Sequence, residues 1–168
     1  MAKVFVVYDT KYGNTRYAAK LIAEGLKDVE GTDAEIDYVK NVDLAKLATY
    51  DAIIIGAPNH MGKPSRIIGQ FINKLAKNNI ALKRVAVFDT YYVHQRNFEK
   101  AMKKMEKSIG EKLPGAKLIT HGLSVKVKGV NGPVAEEELV KCRELGRSIA
   151  AQLRMWVQAS FGSVILLL

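Results

Sequence analysis

The sequence predicts a three-layer α/β domain built on a parallel sheet, and three observations predict it. Short β-branched runs alternate with helical patterns along the chain. Five strands so placed show no internal repeat. Three of them (Val4–Tyr8, Asp51–Ala57 and Arg84–Phe88) are apolar on both faces. Strands buried on both sides belong to the middle of a sheet that helices cover above and below. At 168 residues, with 13 glycines, 4 prolines and 48% hydrophobic residues, the chain has the size and composition of one ordinary globular domain.

Each element has its own signature. Val4 to Tyr8 is an uninterrupted apolar strand that stops abruptly at Asp9-Thr10, and a helical spacing follows from Thr15 to Leu26. Ala34 to Val39 alternates as a half-exposed strand, and Asp43 to Thr49 reads as a short helical turn. After the third strand, Ile67, Ile68, Phe71, Ile72 and Leu75 recur at helical intervals between Arg66 and Ala76. The fourth strand, Arg84 to Phe88, precedes a basic helix from Asn97 to Leu113. Lys117 to Val127 is a fifth strand with an irregular middle at His121-Gly122, and Glu136 to Trp156 is a long last helix.

The net charge is +9 and the isoelectric point near 9.6. Such a balance suits nucleic acid, an anionic membrane or an acidic protein. The lysines are spread through helices and turns, however, and mix with glutamates between Glu99 and Lys112. No recognition helix or stacking-aromatic motif stands out, so the charge reads as a solvated surface that steers acidic partners. The lone Cys142 forms no internal disulfide and builds no metal cluster; with Leu139, Leu145 and Ile149 it reads as a structural helix residue in a reducing, cytoplasmic compartment. The chain enters a strand at Val4, which leaves no room for a signal peptide.

In an open parallel sheet, ligands sit outside the carboxyl ends of the strands. The loop after the first strand carries Thr10, Lys11, Tyr12, Gly13, Asn14 and Thr15. Gly13 permits a tight turn, the polar side chains supply donors, and the following helix adds its positive dipole end, which suits a phosphate. The spacing is neither the dinucleotide GxGxxG nor the GxxxxGK[ST] loop of nucleoside triphosphatases. It fits one terminal monoester phosphate better than a pyrophosphate. Two further loops leave carboxyl ends: Ala57 to Pro64, with Pro58, Asn59, His60, Met61 and Gly62, and Asp89 to Gln95, with Thr90, Tyr91 and Tyr92. One phosphate loop and two loops bearing planar or soft side chains suit a flat heteroaromatic ring gripped at the sheet edge.

Together these three segments resemble the flavin-mononucleotide loops of flavodoxins. They look closest to the flavodoxin modules of flavodiiron proteins, where Tyr-Asp-Thr opens the first loop as Tyr8-Asp9-Thr10 does here. Gly122 to Lys126 and Leu139 to Gly146 are similar to the end of those modules, so the resemblance covers about residues 3 to 153. It implies a flavodoxin-like sheet of five parallel strands in the order 2-1-3-4-5, one bound FMN, and electron transfer to redox partner proteins, here acidic ones. Thr10, Lys11, Tyr12, Gly13, Asn14 and Thr15 match the phosphate loop. Pro58, Asn59, His60, Met61 and Gly62 match the loop that packs on the inner face of the isoalloxazine and presents a backbone group to its N5. Thr90, Tyr91 and Tyr92 match the loop at the pyrimidine end, with one tyrosine to stack on the ring. The chain departs from the pattern in lacking a tryptophan in the second loop, in placing Lys11 inside the phosphate loop, and in the scarcity of acidic residues around the site.

The mechanism this implies needs no catalytic acid or base and no metal, and it makes the protein an electron carrier before a stand-alone oxidoreductase. Two rivals remain: an FMN-dependent reductase on which a nicotinamide or quinone docks, and a flavin-free interaction module that keeps only the fold. A visible spectrum separates the second from the others. The acidic pocket of response-regulator receivers is excluded, because they need an Asp at the end of strand three, where this chain has Ala57-Pro58. His94 and His121 read as loop or core residues. Residues 1–155 form the flavodoxin-like domain, and 156–168 form an apolar tail. The tail has no charge after Arg154 and is shorter than the ~20 residues that span a bilayer. Its expected place is against the domain or a neighbouring subunit.

Overall fold

The alternation of the sequence becomes a doubly wound sheet in a computed structural model, which describes residues 1–92 and 95–165, apart from the side chains at 95 and 163–165. The elements are β1 (Ala2–Tyr8), α1 (Asn14–Lys27), β2 (Thr32–Tyr38), α2 (Leu44–Leu47), β3 (Ala52–His60), β4 (Lys63–Pro64), α3 (Arg66–Lys77), β5 (Arg84–Tyr92), α4 (Lys100–Lys112), β6 (Lys117–Leu118), β7 (Leu123–Val127) and α5 (Glu136–Ile165). The sheet runs β2-β1-β3-β5, and β6 and β7 pair in turn with the far edge of β5. All these pairings are parallel; β4 alone folds back antiparallel on β3. This is the expected 2-1-3-4-5 order, with the fifth position divided where His121-Gly122 broke the pattern. Gly122 passes so close beneath α4 that a Cβ there would come within 2.4 Å of the Met102 sulfur.

Period-two alternation sends the side chains of each central strand to two separate cores. Val4, Val6, Ile54, Phe88 and Val125 pack under α1 and α5. Phe5, Val7, Ile53, Ile55 and Val87 pack under α3 and α4, against Phe71, Met102 and Met105. On the first face α1 and α5 touch backbone to backbone. A Cβ on Gly146 would meet the Ile22 carbonyl at 2.1 Å, and one on Gly25 would meet the Arg143 carbonyl at 2.0 Å.

Three expectations change. β3 and β5 run beyond their apolar stretches, to His60 and Tyr92, because neighbouring strands go on pairing after the side chains turn polar: Pro58 still stands opposite Thr90, and Tyr92 opposite Val127. The segment after the third strand is therefore mostly hairpin and not open loop. The last helix continues unbroken through the expected domain boundary to Ile165. Residues 157–162 are exposed, so among the described side chains the tail does not pack back on the domain beyond Trp156. By that point the helix has passed the edge of the sheet and has no surface to cover.

Candidate functional site

The first loop is built to leave donors unpaired. Gly13 takes φ +89° to turn the chain into α1, and its N–H donates to the Thr10 hydroxyl oxygen at 2.9 Å. The Thr10 hydroxyl hydrogen is left free to donate elsewhere. The first bond of α1 runs from the Tyr17 N–H to the Gly13 carbonyl, so the amides of Asn14, Thr15 and Arg16 have no acceptor within the helix. The first turn carries no acidic side chain. Thr15 is buried, and its hydroxyl shares a hydrogen bond of 2.8 Å with that of Thr90, tying the loop to β5. Unpaired amides, a free hydroxyl and a helix dipole converging on one spot make an anion site.

The second segment is a hairpin. β3 turns at Met61-Gly62 and returns as β4, with His60 opposite Lys63. Both turn residues have positive φ, 53° and 86°, the sign a tight two-residue turn of this hand requires. Asn59 fixes the turn from below. Its carbonyl oxygen accepts the Gly62 N–H at 2.7 Å, and its amide donates to the Asn97 carbonyl at 2.8 Å and to Asp89 at 3.2 Å. The Asn59 side chain is thus occupied in shaping the turn. Asp89 is 0% exposed; it also accepts from the Ser124 hydroxyl and from the Met102 N–H at 3.0 Å. Burial pushes its carboxyl up to about 6 from an ordinary 3.8, against the pull of these donors.

The third segment is the end of β5. Thr90 is buried, the Tyr91 ring stands edge-on to Phe98 at 5.4 Å, and Tyr92 is 43% exposed. Burial, and after it the nearby Glu138 carboxylate, raises the Tyr91 phenol above its ordinary range. His94, read from the sequence as a loop or core residue, lies outside the described residues. His121 is exposed on the connection between β6 and β7.

One cleft at the carboxyl edge of the sheet joins these segments. Thr10, Lys11, Tyr12, Asn14 and Thr15 line one end, with Pro58, Asn59, His60, Thr90, Tyr91 and Tyr92 along the rest. Gly13 and Gly62 shape turns and do not line the cleft. Met61, 89% exposed at the hairpin tip, faces an adjoining hollow with Tyr92 and Arg96. A fourth segment escaped the sequence reading: Val127, Gly129 and Val130 close the side of the cleft beyond β7. The Lys128 N–H donates to the Pro133 carbonyl at 2.9 Å, pinching that loop shut. Gly132 lies against Asn14, where a Cβ would come within 2.3 Å of the amide oxygen. The signal was available, since Lys128 to Pro133 holds two glycines and a proline just past a strand's carboxyl end.

The flavodoxin domain family matches this chain over residues 5–123. A flavodoxin of Aquifex aeolicus (strain VF5) is 36% identical over 73 residues, 44% of this chain and 40% of that protein. An NAD(P)H dehydrogenase (quinone) of Caulobacter vibrioides is 33% identical over 93 aligned positions, 44% of this chain and 46% of that protein. The match thus spans less than half the length of these curated relatives. Flavodoxin 2 from Bacillus cereus superposes with a TM-score of 0.75 at 28% identity, covering 90% of this chain and 99% of that one. The Flv1 flavodiiron core of Synechocystis sp. PCC6803, at 20% identity and a TM-score of 0.71 over 92% of this chain and 36% of that one, shares the fold alone.

Proposed function

The chain belongs to the flavodoxin family, and from that premise we propose that it holds one flavin mononucleotide in this cleft and carries electrons between redox proteins. The observation that carries the reading is the meeting, in one cleft, of unpaired helix-start amides, a tight hairpin and the open ring of Tyr92. When bound, the flavin supplies the one- and two-electron chemistry. The protein's part is to bind, orient and tune. The Thr10 hydroxyl and the amides of Asn14, Thr15 and Arg16 are the donors for the phosphate, with Lys11 adding positive charge. The Thr15–Thr90 bond holds the phosphate end and the ring end in fixed relation. Because the Asn59 side chain is occupied, the backbone of Pro58 to His60, where the hairpin lines the cleft, is what it would offer the ring. Tyr92 is the tyrosine open for stacking, while Phe98 braces Tyr91. Residues 1–155 form the carrier unit, and its basic surface suits an acidic partner.

A visible spectrum of the purified protein tests flavin binding directly. The phosphate assignment is tested by Thr10→Val, which removes the one hydroxyl among the proposed donors and leaves the Thr15–Thr90 bond in place. A charge-assisted hydrogen bond to phosphate contributes about 1.5–3 kcal/mol, so losing it weakens FMN roughly tenfold to a hundredfold. Riboflavin, which lacks the phosphate, changes little. Equal weakening of both ligands would remove the loop from the phosphate site.

The similarity to an NAD(P)H dehydrogenase (quinone) favours a second reading, in which a nicotinamide or quinone docks on the flavin itself. Steady consumption of NADH or NADPH by the flavin-loaded protein with a quinone, and no other protein present, selects that reading over the carrier.

A further inference from the structure

α5 outruns its own packing. Leu153 is its last core side chain, yet the helix continues about three turns further, beyond the amino edge of the sheet. From Met155 to Leu168 the sequence has no charged residue, and it ends Val164-Ile165-Leu166-Leu167-Leu168. Phe161 is 69% exposed and Val157 is also open. Ser160 turns its hydroxyl onto the Trp156 carbonyl at 2.9 Å, which satisfies it without water.

The root of this helix is cationic. Trp156, the chain's one tryptophan, has the Arg84 guanidinium 4.6 Å and the Lys117 ammonium 5.4 Å from its ring centre. Arg84 opens β5 and Lys117 opens β6, so both stand at the amino edge. α3 and α4 run back against the strands and end at the same edge, with Lys77 and Lys112. Arg154 adds a further cation, with a guanidinium N–H 3.5 Å from the Glu30 carbonyl oxygen. Asp51 lies there too and faces Lys83 at 3.7 Å.

We propose that this edge docks on an anionic lipid bilayer. The uncharged helix end enters the boundary between headgroups and acyl chains, Trp156 sits at headgroup level, and the cationic collar meets the anionic headgroups. Beyond Trp156 the described helix extends about 14 Å, roughly half of the ~30 Å hydrocarbon core, which is the depth of one leaflet. Among the described residues no helix is long and apolar enough to cross a membrane. A second copy of the chain is the weaker occupant. Paired helices in water carry charged residues beside their apolar seam, and this helix end has none. Docked so, the cleft at the carboxyl edge faces away from the bilayer, open to partners.

The intact chain is sedimented with vesicles of phosphatidylglycerol and phosphatidylcholine in equal parts, and with phosphatidylcholine alone, while Trp156 emission is followed. Binding and a blue shift are expected with the anionic vesicles only, weakening as salt rises. Arg84→Gln or Lys117→Gln lowers binding roughly fivefold each. Phe161→Asp lowers it at least tenfold with an unchanged circular dichroism spectrum, since that side chain is already exposed. No binding to anionic vesicles overturns the proposal, as does binding that Phe161→Asp leaves intact. So does lipid-free self-association, abolished by Phe161→Asp, in a chain that ignores vesicles. Sedimentation and the wavelength of Trp156 emission require no flavin, so failure here leaves the proposed function standing.

Discussion

Asp89 lies beneath the hairpin with no exposed surface, where Ser124, the Met102 amide and Asn59 all donate to it. Its folded value of about 6 stands above the ordinary 3.8, so between these values the folded chain keeps a proton that the unfolded chain has released. The contribution to stability is therefore full below about pH 4 and is lost as pH rises through about 6. A shift of two units corresponds to roughly 3 kcal/mol. Asp89→Asn removes this dependence and keeps the network: its amide oxygen accepts from Met102 and Asn59, and its NH₂ donates to Ser124. Denaturant unfolding between pH 4 and 7 should show the variant gaining on the parent by up to about 3 kcal/mol as pH rises; a constant gap would refute the argument. Asp28, held down to about 2 chiefly by its hydrogen bond from Arg143, titrates below this window. The contrast between Asp89 and Thr10 shows what single residues reveal. The place of Thr10 and Thr15 at the cleft was legible because small polar residues around Gly13 mark a tight loop directly after a buried strand. Asn59 was read as a ligand contact, but its partners are Gly62, Asn97 and Asp89, contacts that only the fold creates. Cys142 matched its structural reading: it is buried, and desolvation pushes its thiol up to about 12.

At the scale of elements, the α1–α5 contact depends on two glycines that the sequence reading passed over. Gly146→Ala places a methyl against the Ile22 carbonyl and the Leu26 amide, backbone atoms that cannot rotate aside. Separating the helices should cost about 1–3 kcal/mol, seen as a lower midpoint in thermal or denaturant unfolding. An unchanged midpoint would mean that α5 slides freely on α1. The strands were legible in their middles and not at their ends. Hydrophobic pattern reports which faces are buried, whereas a strand ends where its hydrogen-bonded neighbour ends. Hence β3 and β5 carry polar Asn59-His60 and Tyr91-Tyr92 as true strand residues, and these extensions are what bring them to the cleft. The loop after β7 walls the site for a related reason: β7 pairs along β5 as far as Val127 opposite Tyr92, which carries the chain to the side of the cleft.

On the scale of the whole molecule, positive charge gathers around the cleft as well as at the far edge. Lys11 lines the cleft, Lys63 stands opposite His60, and Lys126 stands opposite Tyr91. A unit charge ~10 Å from an anion, at an effective dielectric of ~40, interacts by roughly 0.8 kcal/mol, or a few tens of millivolts. The more negative of the two flavin potentials should therefore lie above that of acidic relatives and fall as salt screens the lysines. A redox titration finding a strongly negative, salt-independent second potential would sink this reading. Net charge was legible in the composition, but its division between two opposite edges was not, because that depends on where helices α3, α4 and α5 end. The position of the one tryptophan has an optical consequence. Trp156 stands at the amino edge, and Arg84 to Thr90 of β5 separates it from the cleft by about 20 Å. Tryptophan emission overlaps flavin absorption, so on the proposed reading Trp156 is the donor, and a flavin in the cleft the acceptor, for resonance energy transfer. Loading the cleft should then dim, and emptying it brighten, a side chain at the opposite edge of the sheet, which would give the protein its own gauge of occupancy.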